Sequence, residues 1–121
     1  MTDKRKQMLF DIFITAIEGG IGYWAYSEEY HWRKEDGSDD LDGFHSIVVD
    51  TEDEDAFERS TINAAVIEKG IQKIKDPKFQ INDTTRKKVM VADILEDDYD
   101  FDADDADCIV QAGLFGELMF G

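Results

Sequence analysis

The chain has 121 residues, 42% of them hydrophobic and 12% aromatic, and its 29 acids against 13 bases give a formal net charge of -16. Such a charge repels phosphate and anionic lipid, which excludes direct binding to nucleic acid or to a membrane surface. The apolar content exceeds that of a disordered acidic chain, and the length suits a single domain over residues 1–121 with a real core.

In chain order, residues 4–18 read as a helix. Met8, Leu9, Ile12, Phe13, Ala16 and Ile17 form a broad apolar face at helical spacing, and Gly19-Gly20 ends it. Asp11 and Glu18 interrupt the apolar run and no small-residue cleavage site follows, so this start reads as a folded helix of a cytoplasmic protein. No stretch approaches the roughly 18 apolar residues of a membrane span. Residues 21–34 hold Tyr23, Trp24, Tyr26, Tyr30 and Trp32 and read as a strand with a packed aromatic face. EDGSDDLDG at 35–43 is a turn or loop. FHSIVVD at 44–50 is a second strand, antiparallel to the first, and this pairing allows His31 and His45 to lie across from each other.

Ser60 is expected to cap a helix over 61–75, with Pro77 beyond its end. Asp83 is expected to cap another over 84–97, with Val89, Met90, Ile94 and Leu95 inward. The last helix, roughly 104–119, is the most apolar, carrying Ile109, Val110, Leu114, Phe115, Leu118 and Met119. The order α-β-β-α-α-α gives an α+β class: a small antiparallel hairpin or sheet packed against about four helices.

The charge is blocked along the chain. Residues 1–34 are neutral overall, 35–58 carry eleven acids and no base, 59–92 are net +5, and 93–121 carry ten acids and no base. Two candidate acidic segments follow from this. The first contains Asp39, Asp40 and Asp42, then Glu52, Asp53, Glu54 and Asp55. The second contains Asp97, Asp98, Asp100, Asp102, Asp104 and Asp105.

Asp98, Asp100 and Asp102 have the D-x-D-x-D spacing of a calcium loop. Ala103 and Ile109 stand where that loop needs Gly and Glu, so no metal is expected. The one cysteine, Cys108, and two histidines are too few for a Cys/His zinc site, and no GxSxG supports a catalytic serine. Neither a cofactor nor catalysis is expected. A metal-dependent hydrolase would need convergent acids in a pocket. On an extended strand, alternate side chains lie roughly 6.5–7 Å apart. Successive phosphates along a nucleic-acid strand have a similar separation, about 6–7 Å. Asp98, Asp100, Asp102 and Asp104 would then form a phosphate-like ladder. A solvated acidic face is the alternative for each block. Two base-free blocks in one small chain favour a charge-complementary protein partner, since self-repulsion destabilises the compact state. Tyr99 and Phe101, alternating with the acids, anchor the link to the core. Arg86-Lys87-Lys88 is expected to pair with an acidic block.

Two glycine-bearing stretches, Ala16-Ile17-Glu18-Gly19-Gly20-Ile21-Gly22-Tyr23-Trp24-Ala25 and Asp107-Cys108-Ile109-Val110-Gln111-Ala112-Gly113-Leu114-Phe115-Gly116-Glu117, resemble those of small proteins encoded by phages of actinobacteria. In size and acidity the chain also resembles phage-encoded DNA-mimic inhibitors. That likeness implies a basic host nucleic-acid-binding protein of the restriction, CRISPR or DNA-repair class as the partner. The alternative expectation is a structural or assembly protein with a solubilising acidic surface and a homodimer seam on its last helix.

Overall fold

The computed structural model describes residues 1–51 and 58–121. The first helix, α1 (Asp3–Thr15), starts at Thr2, whose hydroxyl accepts from the Arg5 N–H at 3.2 Å. Met8, Leu9, Ile12 and Phe13 fall on one stripe and are fully buried. Beyond Thr15 the helix widens into a π turn over Ala16–Gly20. Gly20 is needed there because a Cβ would lie 2.7 Å from the carbonyl oxygen of Ala103.

Three strands follow: β1 (Ala25–His31), β2 (His45–Asp50) and β3 (Arg59–Asn63). They form one antiparallel sheet in the order β1-β2-β3. The register sets His31 opposite His45, with a bulge between Ser27 and Glu29. The aromatic stretch divides: Trp24 is buried, Tyr30 and Trp32 are half-buried, and Tyr23 and Tyr26 are exposed. The ring of Phe13 meets Phe44 at 4.7 Å and Tyr30 at 5.7 Å, which seats α1 on the sheet.

β3 corrects the expected helix over 61–75. Thr61 and Ile62 are β-branched and alternate exposed with buried, as a half-buried strand requires. Asn63, not Ser60, is the cap, accepting from Val66 N at 3.1 Å, so α2 runs Ala64–Lys75. Its inward face is Ile67, Gly70, Ile71 and Ile74.

Helix α3 (Asp83–Leu95) is capped by Asn82, one residue before the expected Asp83. It ends at Leu95 because Glu96 turns left-handed, with φ 59°. The expected inward face is also corrected. Thr85, Val89 and Ala92 point inward at i, i+4 and i+7, while Met90, Ile94 and Leu95 are exposed. The small side chains bring α3 close to its neighbours, and the large ones are left outside.

Helix α4 (Ala103–Phe115) opens with a reciprocal capping box between Asp102 and Asp105. It stops at Gly116, φ 75°, short of the expected residue 119. The tail then folds back, and Phe120 stacks on Trp24 at 4.8 Å. Helices α2 and α4 touch backbone to backbone. A Cβ on Gly70 would lie 2.0 Å from Ile109 O, and one on Gly113 would lie 2.1 Å from Val66 O. The class is α+β, with one more strand than expected. No helix among the described residues is long and apolar enough to cross a membrane.

Candidate functional site

Residues 35–42 form an exposed loop tied off at its base. Lys34 N donates to Ser38 O at 2.8 Å and Asp40 N to Trp32 O at 2.9 Å, while Arg33 and Asp39 form a single bridge. The Asp40 carboxylate lies 2.7 Å from His31 Nε2 and accepts from Gly43 N at 2.9 Å. The His31 contact holds it below the usual carboxylate range. His31 and His45 stack across the strands at 5.2 Å, as the pairing of the two strands predicts. Asp42 pairs with Lys6 at 2.6 Å. Asp39 is exposed and has no ion pair among the described residues. Glu52, Asp53, Glu54 and Asp55 lie outside the described residues.

The second segment is not a straight ladder. Glu96 and Asp98 both adopt left-handed backbone, φ 59° and 51°, so the chain turns sharply as it leaves α3. Asp102 caps α4, and Asp104 lies within its first turn. Tyr99 and Phe101 stack at 5.9 Å and pack on the core, and the Tyr99 hydroxyl donates to Asp11.

The carboxylates of this segment have different partners. Asp97 pairs with Lys4 at 2.8 Å, and Glu96 accepts from the Thr2 hydroxyl at 2.8 Å. Asp105 is only 4% exposed. It accepts from Thr85 Oγ1 at 3.0 Å, Lys88 Nζ at 2.9 Å and Asp102 N at 3.1 Å. Burial pushes its pKa up, but Lys88 and the other donors outweigh this and hold it below the usual range. Asp107 is buried too, accepting from Tyr23, Trp24 and Gln111. Asp98, Asp100 and Asp104 remain exposed, with no ion pair among the described residues.

The basic segment is engaged internally. Lys88 pairs with Asp105, while Arg86 donates to the carbonyl of Ile74 in the last turn of α2 and to those of Asp76 and Phe79 beyond it. Lys87, Lys88, Val91, Asp98, Tyr99 and Asp100 line an open cleft of about 430 Å³. Among the described residues, no three His, Cys, Asp or Glu side chains are grouped to hold a metal ion.

Both acidic segments border the first turn of α1. Lys4 and Lys6 are two residues apart, roughly 200° around the helix axis. One reaches Asp97 and the other Asp42, so the segments approach α1 from opposite flanks.

Sequence reasoning missed a second charged cluster. Arg5, nearly buried, bonds to Glu68 and Asp93, and Lys75 reaches Asp93 at 2.6 Å. This joins α1, α2 and α3, and no local spacing in the sequence announces it. On the last helix Ile109, Val110, Ala112 and Gly113 are buried against the rest of the chain, Leu114 and Phe115 are half-buried, and Met119 beyond its end is exposed; four further large apolar side chains are exposed on α3.

Comparisons with protein-family models, with curated proteins and with solved structures gave no significant match.

Proposed function

We propose that this is a non-catalytic acidic binding protein that acts in the cytoplasm by occupying the basic nucleic-acid-binding surface of a host protein. The restriction, CRISPR or DNA-repair class is the one that its size and acidity suggest. The observation that carries the reading is the free set Asp98, Asp100 and Asp104. These carboxylates are exposed and without ion pairs among the described residues, while neighbouring Asp97, Asp102, Asp105 and Asp107 have partners inside the fold. Exposed, uncompensated acids in the link to α4 and on its first turn present a negative field to a cationic groove.

The mechanism is competitive and electrostatic, so affinity falls as salt screens exposed charge. The test measures binding to a panel of basic nucleic-acid-binding proteins at low and high salt, for the wild type and Asp98→Asn/Asp100→Asn/Asp104→Asn. The expected result is salt-sensitive binding that the triple variant loses while keeping its fold. Absence of binding at low salt, or binding indifferent to the triple change, overturns the proposal.

A further inference from the structure

Helix α3 carries an apolar strip that the chain leaves uncovered. Met90 is 43% exposed, Val91 50%, Ile94 77% and Leu95 53%. These are four of the eight large hydrophobic side chains exposed among the described residues, gathered on one helix of 13 residues. A cluster of this kind on so charged a chain marks a contact surface. Clefts lie on both sides of the strip. One is the cleft of about 430 Å³ toward Tyr99, and the other, of about 530 Å³, is lined by Arg86, Lys87, Met90, Val91 and Ile94.

The charges beside the strip differ at its two ends: Asp83, Arg86 and Lys87 toward the start of α3 are net positive, while Glu96, Asp98 and Asp100 past its end are all acids. Lys87, at the start of α3, is exposed with no ion pair among the described residues. Asp98, just past the end, is the same. A parallel copy would set like charges together. An antiparallel copy sets each Lys87 against the opposite acidic end. The apolar positions obey the same symmetry. An axis level with Ala92 and Asp93 places Val91 beside the partner's Ile94, Met90 beside the partner's Leu95 and Lys87 beside the partner's Asp98. Ridges four residues apart can then enter the flanking clefts, the commonest way in which helices pack. A patch that complements itself about a twofold axis is what an isologous dimer needs.

We infer that the α3 face is a homodimer interface in which two α3 helices pack antiparallel about a twofold axis level with Ala92 and Asp93. The inference shares Asp98 with the proposed function, but its apolar contacts on α3 do not involve the free acids Asp100 and Asp104, and Ile94→Glu tests it without touching any of the three. Its salt dependence is also opposite. Two copies of net charge -16 repel at long range, so salt strengthens their association, while it weakens binding to a basic partner.

Sedimentation velocity over a concentration series, at low and moderate salt, tests this. The expected result is a species moving from 13.8 kDa toward twice that mass as concentration and salt rise. Ile94→Glu changes an exposed side chain, so circular dichroism should stay native while association drops at least ~10-fold. Lys87→Glu alone weakens the dimer, and Lys87→Glu with Asp98→Lys restores it. A wild type that stays monomeric throughout, or a dimer unchanged by Ile94→Glu, overturns the inference.

Discussion

Trp24 donates its indole N–H to Asp107 Oδ1 at 2.8 Å across 83 positions of sequence. The same carboxylate takes the Tyr23 hydroxyl at 2.5 Å and Gln111 Nε2 at 2.9 Å. Gln111 in turn accepts from the backbone of Met119 and Phe120 at 2.8 and 2.9 Å, which holds the tail over Trp24. One buried aspartate therefore joins the start of β1, α4 and the C-terminal tail.

Asp107→Ala is expected to cost about 3 kcal/mol, because it strips the acceptor from several donors in one site. Urea denaturation followed by tryptophan fluorescence measures the loss. The phenol of Tyr23 is pushed up to about 12 by burial and by the Asp107 carboxylate, so its titration should move back toward 10.0 in this variant. A loss below ~1 kcal/mol would show that other groups satisfy these donors.

The α2–α4 crossing leaves no room for a methyl group at Gly70 or Gly113. The obstruction at each is a backbone carbonyl, so no side chain can move aside. Gly70→Ala and Gly113→Ala should each cost about 2–3 kcal/mol, despite the better helix propensity of alanine. Gly22→Ala, which meets nothing within 4 Å, is the control and should change little.

The acids of the second segment should separate by experiment into two groups. Asn at Asp98, Asp100 and Asp104 together should leave the melting temperature unchanged or slightly raised, since it removes like charges. Asp102→Ala should cost about 1 kcal/mol through loss of the α4 cap. Thermal melts at fixed salt distinguish them.

Acid sensitivity should trace to Asp105 and Asp93. In both, burial raises the pKa, and it is outweighed by bound cations: Lys88 for Asp105, Lys75 and Arg5 for Asp93. Their folded values lie below the unfolded ones. The stability they add is therefore complete above about pH 4 and is lost as pH falls through the lower, folded value. Asp105→Asn should destabilise by about 2 kcal/mol at pH 7. That difference should shrink as the pH is lowered below about 4, as read from denaturation curves at stepped pH. A constant gap down to acid pH would contradict the assignment.

The thiol of Cys108 is pushed up to about 11 by burial and by the carboxylates of Asp107, Asp105, Asp104 and Asp102. Alkylation at pH 8 should be at least ~10-fold slower in the folded protein than in urea.

Much of the fold was legible because local rules governed it. The antiparallel hairpin and the His31–His45 pairing follow from alternation and turn residues, whereas Gly19-Gly20, expected to end the first helix, lies inside the π turn that continues it. β3 was not legible. Ser60 and Asn63 are both good caps, and only pairing with β2 makes Ser60 part of a strand. Val89 faces inward as expected, but the rest of the inward face of α3 was misread because size suggested Met90, Ile94 and Leu95, whereas Thr85 and Ala92 are the buried ones. The acidic segments were visible in composition alone. Which acids stay free was not, because Asp105 is claimed by Thr85 and Lys88, residues 20 and 17 positions away.

The opposed ion pairs of Lys4 and Lys6 make the amino terminus an electrical spacer. Each lysine cancels one carboxylate on its own flank, so replacing Lys4 and Lys6 with neutral residues would free Asp97 and Asp42 together and deepen both acidic surfaces at once, while leaving Arg5 to hold α1 to α2 and α3. A fusion after Gly121 would instead load the tail that covers Trp24. The two ends of this chain thus control different properties: one the charge it presents, the other the closure of its core.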